Sequence, residues 1–391
     1  KASDRALFTG TRRQEAVSAA TAPEKEVSHI PTSVAEFDQV LGGGVYRGSA
    51  VLVAGPPGVG KSSLLMFIAA RVAASHGPVV YLSAEESLYQ AAARAKRIGA
   101  DHEDLYILAN GHIEAGFSEA ARLEAALVVV DSLQLAQTSY VDSPPGSALQ
   151  VREVASRVVE MAKKTGTPYL VTGQVVKTGE FAGPMSIPHI FDVFLRLDPN
   201  TLPGFVLLRS EKNRFGSVLG VGSFRMTPKG MIEAPHPSKE ILSTGATGIV
   251  AVSLEGTKPI AAMIQALSIG RSDSGAPTLG YPKDRLAMIR IACHSNAGVE
   301  IPKSTVIDVL GGYKITDPAA DLAVAIAACF AKEEKPLPSG WAAIGEIDLS
   351  GRVLPPPDLL RRFSEIEAVE IPRVVIPFQA SEDLPQRGVP S

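Results

Sequence analysis

Between Ala50 and Arg209 the chain alternates two patterns of hydrophobic positions. Continuous apolar runs at Ala50–Ala54, Val79–Ser83, Ala126–Asp131, Tyr169–Thr172 and Val206–Arg209 predict buried strands. Between them, Leu64–Ser75, the alanine-rich stretch after Glu86 and Val151–Lys164 predict helices. Strands alternating with helices predict a parallel sheet covered by helices, an α/β class. Upstream, Ser28–Val45 reads as a platform. Ser33 is placed to cap a helix whose third position is Glu36, and Leu41-Gly42-Gly43-Gly44 reads as its stop.

A second patterned region follows. Pro235–Gly245 mixes proline, glycine and polar residues in the manner of a linker. Beyond it, Gly248–Leu254, Ile260–Leu267 and Ala287–Ala292 read as strands, Ala319–Ala331 as a helix, and Trp341–Asp348 as strand again. The expected organisation is a mobile arm over residues 1–26, a first domain over 27–236, a linker over 237–247 and a second, α+β domain over 248–391.

One strand-to-helix junction carries chemistry. The run Gly55-Pro56-Pro57-Gly58-Val59-Gly60-Lys61-Ser62-Ser63 has the G-x-x-x-x-G-K-S spacing that cradles nucleotide phosphates. Gly55, Gly58 and Gly60 admit backbone angles that let successive N–H groups point at an anion. The helix that follows adds its positive end. Lys61 is expected to reach the β- and γ-phosphates, and Ser62 to ligate Mg²⁺.

Other candidates fall at strand ends. The apolar run Leu127–Val130 delivers Asp131 to a carboxyl edge, where it can organise Mg²⁺. Glu85 and Glu86 lie just past another strand; Glu85 reads as the base that orients an attacking water, and Glu86 as a helix cap. Gln174 is placed to sense a γ-phosphate. The polar loops 139–147 and 177–188 read as functional. Lys177 reads either as a phosphate-backbone contact or as an exposed loop lysine.

Composition narrows the picture modestly. An apolar content of 45% with 20% charged residues is that of a folded globular chain. No apolar run reaches the roughly 18 residues of a membrane span, and no signal-like segment is present. The net charge of −3 gives no global basic footprint, so nucleic-acid contacts must be local. Cys293 and Cys329 read as small hydrophobes, which points to a reducing, cytoplasmic setting. Without an initiator Met, the chain is expected to have lost upstream material.

Glu211-Lys212-Asn213-Arg214-Phe215-Gly216 decides between families. With the phosphate loop and the domain after it, the chain closely resembles the bacterial RadA (Sms) family, RecA-type ATPases involved in homologous recombination, from about Val27 to the C-terminal end. Lys212–Gly216 is that family's diagnostic motif. The resemblance implies a RecA-like P-loop core with a Lon-protease-like second domain, and ATP and Mg²⁺ as cofactors. It further implies a DnaB-like motor on single-stranded DNA that promotes branch migration, acting as a hexamer alongside a RecA-type recombinase. By similarity to DnaB-type helicases, Lys212 and Arg214 are expected to act on a neighbouring subunit's ATP as piston and arginine finger. Two cations one residue apart on an extended segment do point to one side. A rival reading places them on DNA phosphate.

The Lon likeness tests a protease reading. Such peptidases use a serine activated by a lysine. The run matching the family's nucleophile motif is Asp317-Pro318-Ala319-Ala320-Asp321, and no lysine follows Lys335. Peptidase activity is not expected. The domain is expected to serve as an assembly ring and DNA surface, with Arg271, Lys283, Arg285, Lys303 and Lys314 as candidate contacts and scattered solvent charge as the alternative. The family usually begins with a four-cysteine zinc module, and this sequence has only Cys293 and Cys329; either that module belongs to an upstream piece absent from this chain or this member lacks it, so zinc is not assigned to the residues given. The other reading of the same motifs is a non-translocating ATP switch that regulates protein partners.

Overall fold

A computed structural model describes residues 28–175, 186–199, 202, 204–243, 246–269 and 276–381. The expected arm, Lys177, most of the 177–188 loop and Arg271 lie outside these residues.

Two short strands, β1 (His29–Ile30) and β2 (Val45–Tyr46), pair antiparallel and bracket helix α1 (Ala35–Leu41). Strict alternation follows: β3 (Ala50–Gly55), α2 (Lys61–His76), β4 (Val79–Ser83), α3 (Leu88–Arg97), β5 (Leu105–Ala109), α4 (Ile113–Arg122), β6 (Leu127–Asp131), α5 (Ala148–Thr165) and β7 (Tyr169–Gln174). After α6 (Ile187–Ile190), strands β8 (Val193–Asp198), β9 (Val206–Asn213), β10 (Val221–Thr227) and β11 (Gly230–Glu233) extend the sheet. The nine strands lie in the order β11-β10-β9-β8-β3-β7-β6-β4-β5.

Every residue of β3 and β6 is buried, as continuous apolar runs demand of a sheet covered on both faces. Leu64, Leu65, Ile68 and Val72 of α2 pack one face, and Val151, Val154 and Val158 of α5 the other. Register decides where chemistry can happen. Gly55 pairs with Gln174 and Ser83 with Asp131, so four strands end together at one edge. At β3–β8 Val51 faces Val193, and at β8–β9 Val193 faces Asn213, so β9 ends at the opposite edge.

Helix α7 (Pro237–Leu242) leads into a second sheet. Strands β12 (Ile249–Glu255), β13 (Lys258–Ser268) and β14 (Thr278–Leu279) precede α8 (Lys283–Ala297), β15 (Thr305–Val309) and α9 (Asp321–Lys332). Then come β16 (Trp341–Ala343), the antiparallel pair β17 (Glu346–Ile347) and β18 (Val353–Leu354), α10 (Leu359–Ala368) and β19 (Arg373–Val375). The sheet order is β14-β15-β13-β12-β16-β19. No described helix is long and apolar enough to cross a membrane.

Three local expectations are corrected. Ser33 sits at φ 60° and does not cap α1; Val34 takes that position without a side-chain bond. Glu36 instead turns inward, where Lys258 Nζ lies 2.9 Å from both of its carboxylate oxygens. The span read as a linker contains α7, whose Ser238 is buried and accepts a 2.8 Å hydrogen bond from Ala261 N–H. Its proline suits a first helical turn, which is why the sequence looked like a break. Ala287–Ala292 lies within helix α8, because Leu286, Ile289 and Ala292 bury one helical face while Ile291 is exposed. A run that short fits either period.

The two sheets share a core. Leu207 and Val221 pack with Ile249, Ala251 and Ile260. Arg209 reaches Glu255 at 2.8 Å, and Thr257 N–H donates to the Leu219 carbonyl at 2.9 Å.

Candidate nucleotide-binding site

The loop from β3 to α2 is built on left-handed glycines. Gly58 has φ +79° and Gly60 φ +100°, angles that side chains with a Cβ resist. At Gly60 a Cβ would also fall 2.2 Å from Met226 Cε, so the β10–β11 hairpin closes directly on this turn. Lys61 Nζ folds back to donate to the carbonyls of Gly55 (2.9 Å) and Pro56 (3.0 Å). Burial lowers its pKa, while the negative charges of Asp131 and Glu85 push it up.

Asp131 is the hub of the site. Only 3% exposed, it accepts hydrogen bonds at Oδ1 from Ser62 Oγ (3.1 Å) and Thr172 Oγ1 (2.6 Å), and at Oδ2 from Tyr81 OH (2.6 Å). Burial, together with Asp131, drives the Tyr81 pKa far up, so the phenol stays a donor. A cavity of about 320 Å³ opens above the loop, and Lys61, Ser62, Glu85, Asp131 and Gln174 line it. Ser132 Oγ lines it too, buried and without a hydrogen-bond partner.

These residues fit a magnesium nucleotide. Ser62 spends its proton on Asp131 and keeps its oxygen lone pairs for a cation. Lys61 and the glycine turn supply the donors that phosphate requires. Glu85 is exposed on the cavity wall, within reach of water.

Glu86 does not cap α3, contrary to the expectation from sequence. Ser87 caps α3 reciprocally with Gln90, and Glu86 forms an ion pair with Arg94. The polar 139–147 loop is laced to Gln150, whose Nε2 donates to the carbonyls of Thr138 (3.1 Å) and Ser143 (3.0 Å). Arg157 covers its Tyr140 at 3.9 Å.

A family model described as AAA domain matches residues 17–180. The DNA repair protein RadA of Escherichia coli (strain K12) is 37% identical over 361 residues, spanning 90% of this chain and 78% of that protein. DNA repair protein RadA of Salmonella typhimurium is 36% identical over 373 residues, spanning 93% and 81%. That of Bacillus subtilis is 35% identical over 360 residues, spanning 90% and 78%. The chain belongs to the RadA family. It carries a RecA-like P-loop ATPase core.

In this RadA-family chain Lys212 and Arg214 stand at the far edge of the sheet from the phosphate loop, gathered on one segment. Lys212 Nζ donates to the carbonyls of His189 (2.9 Å) and Phe191 (2.6 Å), and Arg214 NH1 reaches Asp192 Oδ1 at 3.1 Å. Burial and the neighbouring Arg214 both lower the Lys212 pKa. The residues between and after them anchor the loop. Asn213 Oδ1 accepts from Phe215 N–H at 2.9 Å, and the Phe215 ring stacks on Tyr46 with centroids 4.3 Å apart.

The basic residues of the second sheet divide. Lys283, Lys303 and Lys314 are exposed. Arg285 is not a free cation: its fork grips Asp321 at 2.8 and 2.6 Å and reaches Glu346 at 2.9 Å. Ala319 and Ala320, in the run that aligns with the Lon-type nucleophile motif, are fully buried.

Sequence reasoning missed Tyr81, Thr172, Arg94 and Met226. The only signal for Tyr81 and Thr172 was a hydroxyl within an otherwise apolar strand run.

Proposed function

We propose that this chain is an ATP-driven motor on single-stranded DNA, of DnaB-like type, that promotes branch migration and heteroduplex extension in recombinational DNA repair. The supporting observation is the separation of the Lys212–Arg214 pair from the chain's own phosphate loop. They occupy opposite edges of one sheet. At the rise of a strand, the edges are roughly 13 Å apart before the loops are counted. The pair therefore addresses the nucleotide of another subunit, which calls for a ring, a hexamer by family likeness.

Within each site, residues 55–63 bind phosphate, Lys61 neutralises it, and Ser62 with Asp131 holds Mg²⁺. The metal, when bound, offsets charge on the phosphates. Glu85 orients the attacking water and Gln174 senses the γ-phosphate. Arg214 of the adjoining subunit stabilises the charge that develops, and Lys212 couples hydrolysis to subunit movement. The second domain, from 248 onward, is a Lon-like scaffold without the serine–lysine dyad. Lys283, Lys303 and Lys314 are its DNA contacts, and a RecA-type recombinase is the expected partner.

Mixing two inactive variants tests the arrangement. Lys61→Ala keeps an intact Arg214 but spoils its own site; Arg214→Ala does the reverse. Co-assembled, they should regain ATPase activity above the sum of the separate variants. Activity that stays at that sum contradicts action between subunits.

A further inference from the structure

The carboxylate of Asp131 is held from three directions before any nucleotide arrives. Ser62 Oγ and Thr172 Oγ1 occupy Oδ1, and Tyr81 OH takes Oδ2 at 2.6 Å. The nearest other charge at Oδ2 is Arg94, whose NH1 lies 3.7 Å away and makes no hydrogen bond. Tyr81 lies on β4, 1% exposed, beside β6 in a register that pairs Ser83 with Asp131. Its phenol thus reaches along the strand to the carboxylate without entering the cavity wall.

That geometry has a consequence for Ser62. A carboxylate free to rotate offers the serine proton several acceptor directions, and the serine oxygen then has no fixed aim. With Oδ2 tied to a rigid aromatic side chain, Oδ1 has one position. The Ser62 proton follows it, and the serine lone pairs are left facing the cavity.

We propose that Tyr81 is a positioning residue for nucleotide hydrolysis, fixing the Asp131 carboxylate so that Ser62 presents its oxygen to Mg²⁺. The inference rests on the nucleotide reading above. Tyr81 touches neither nucleotide nor metal in this account. It acts through Asp131.

Tyr81→Phe removes one oxygen and keeps the ring in its packing. Binding of a fluorescent ADP analogue, titrated with Mg²⁺, reads the effect without turnover. The Mg²⁺ concentration for half-maximal binding should rise about tenfold, the scale of a lost partner behind a metal ligand. In parallel, kcat should fall by about the same factor with KM for ATP little changed. The Ser62→Ala/Tyr81→Phe double variant should show no larger Mg²⁺ shift than Ser62→Ala alone, because both act along one path. Should Tyr81→Phe fail to fold, Thr172→Val, which frees the same carboxylate from its other strand, carries the same expectation. Wild-type Mg²⁺ dependence and kcat in a folded Tyr81→Phe, or additive shifts in the double variant, would overturn the proposal. If the wild-type chain itself shows no Mg²⁺-dependent nucleotide binding, the nucleotide reading falls first and takes this inference with it.

Discussion

Glu36 and Lys258, 222 positions apart, form a buried ion pair with Nζ 2.9 Å from each carboxylate oxygen and side chains 5% and 6% exposed. Glu36 Oε2 also accepts from Ser223 N–H at 2.7 Å. One glutamate therefore pins the α1 platform, strand β10 of the first sheet and strand β13 of the second to a common point. With the shared apolar core, this makes the junction a fixed contact between the two sheets.

Lys258→Ala strands the Glu36 carboxylate in that core. The expected cost is about 3–5 kcal/mol, read as a lowered midpoint in urea unfolding. Glu36→Gln with Lys258→Met, which removes both charges at similar volume, should recover most of it. Unchanged stability in Lys258→Ala would mean that the pair does not hold the junction.

Arg285 is a structural cation, unlike the exposed lysines proposed as DNA contacts. Asp321 is fully buried and, among the described residues, keeps only Tyr281 OH (2.6 Å) and Ile347 N–H (3.0 Å) once the guanidinium is gone. Arg285→Ala should cost about 3 kcal/mol of stability and leave the salt dependence of single-stranded DNA binding unaltered. Lys303→Ala should do the opposite, lowering the salt slope by about 1 with stability intact.

The neighbouring Cys329 thiol on α9 holds the Cys293 thiol on α8 down to about 7, against the opposing effect of burial. A lowered pKa means more thiolate at a given pH, and the thiolate is the reactive form. Alkylation of Cys293 by iodoacetamide should reach half its maximal rate near pH 7. Cys329→Ala removes that neighbour and should move that midpoint up towards the ordinary thiol value of about 8.5. A midpoint that does not move would place the cause elsewhere.

The convergence at the phosphate edge was legible because each residue closes a strand of the same period. Gly55, Glu85, Asp131 and Gln174 follow apolar runs, and a parallel sheet brings such ends together. What lay hidden was partnership. Tyr81 and Thr172 sit inside strands, where nothing in the local pattern says which carboxylate they face. Arg285 looked like solvent charge because Asp321 is 36 positions away. Helix α7 looked like a linker because a proline that starts a short helix and one that breaks a chain read alike. Local spacing marks Glu36 for a cap, while its partner Lys258 lies beyond the junction.

The most direct test of a DNA motor is the steady-state ATPase rate of this chain with and without single-stranded DNA, across a salt titration, with Lys61→Ala as the blank. DNA should stimulate turnover strongly, the stimulation should weaken as salt rises, and all turnover should vanish in Lys61→Ala. Turnover that is abolished by Lys61→Ala yet indifferent to DNA at every salt concentration would contradict a DNA motor and leave an ATP switch in its place.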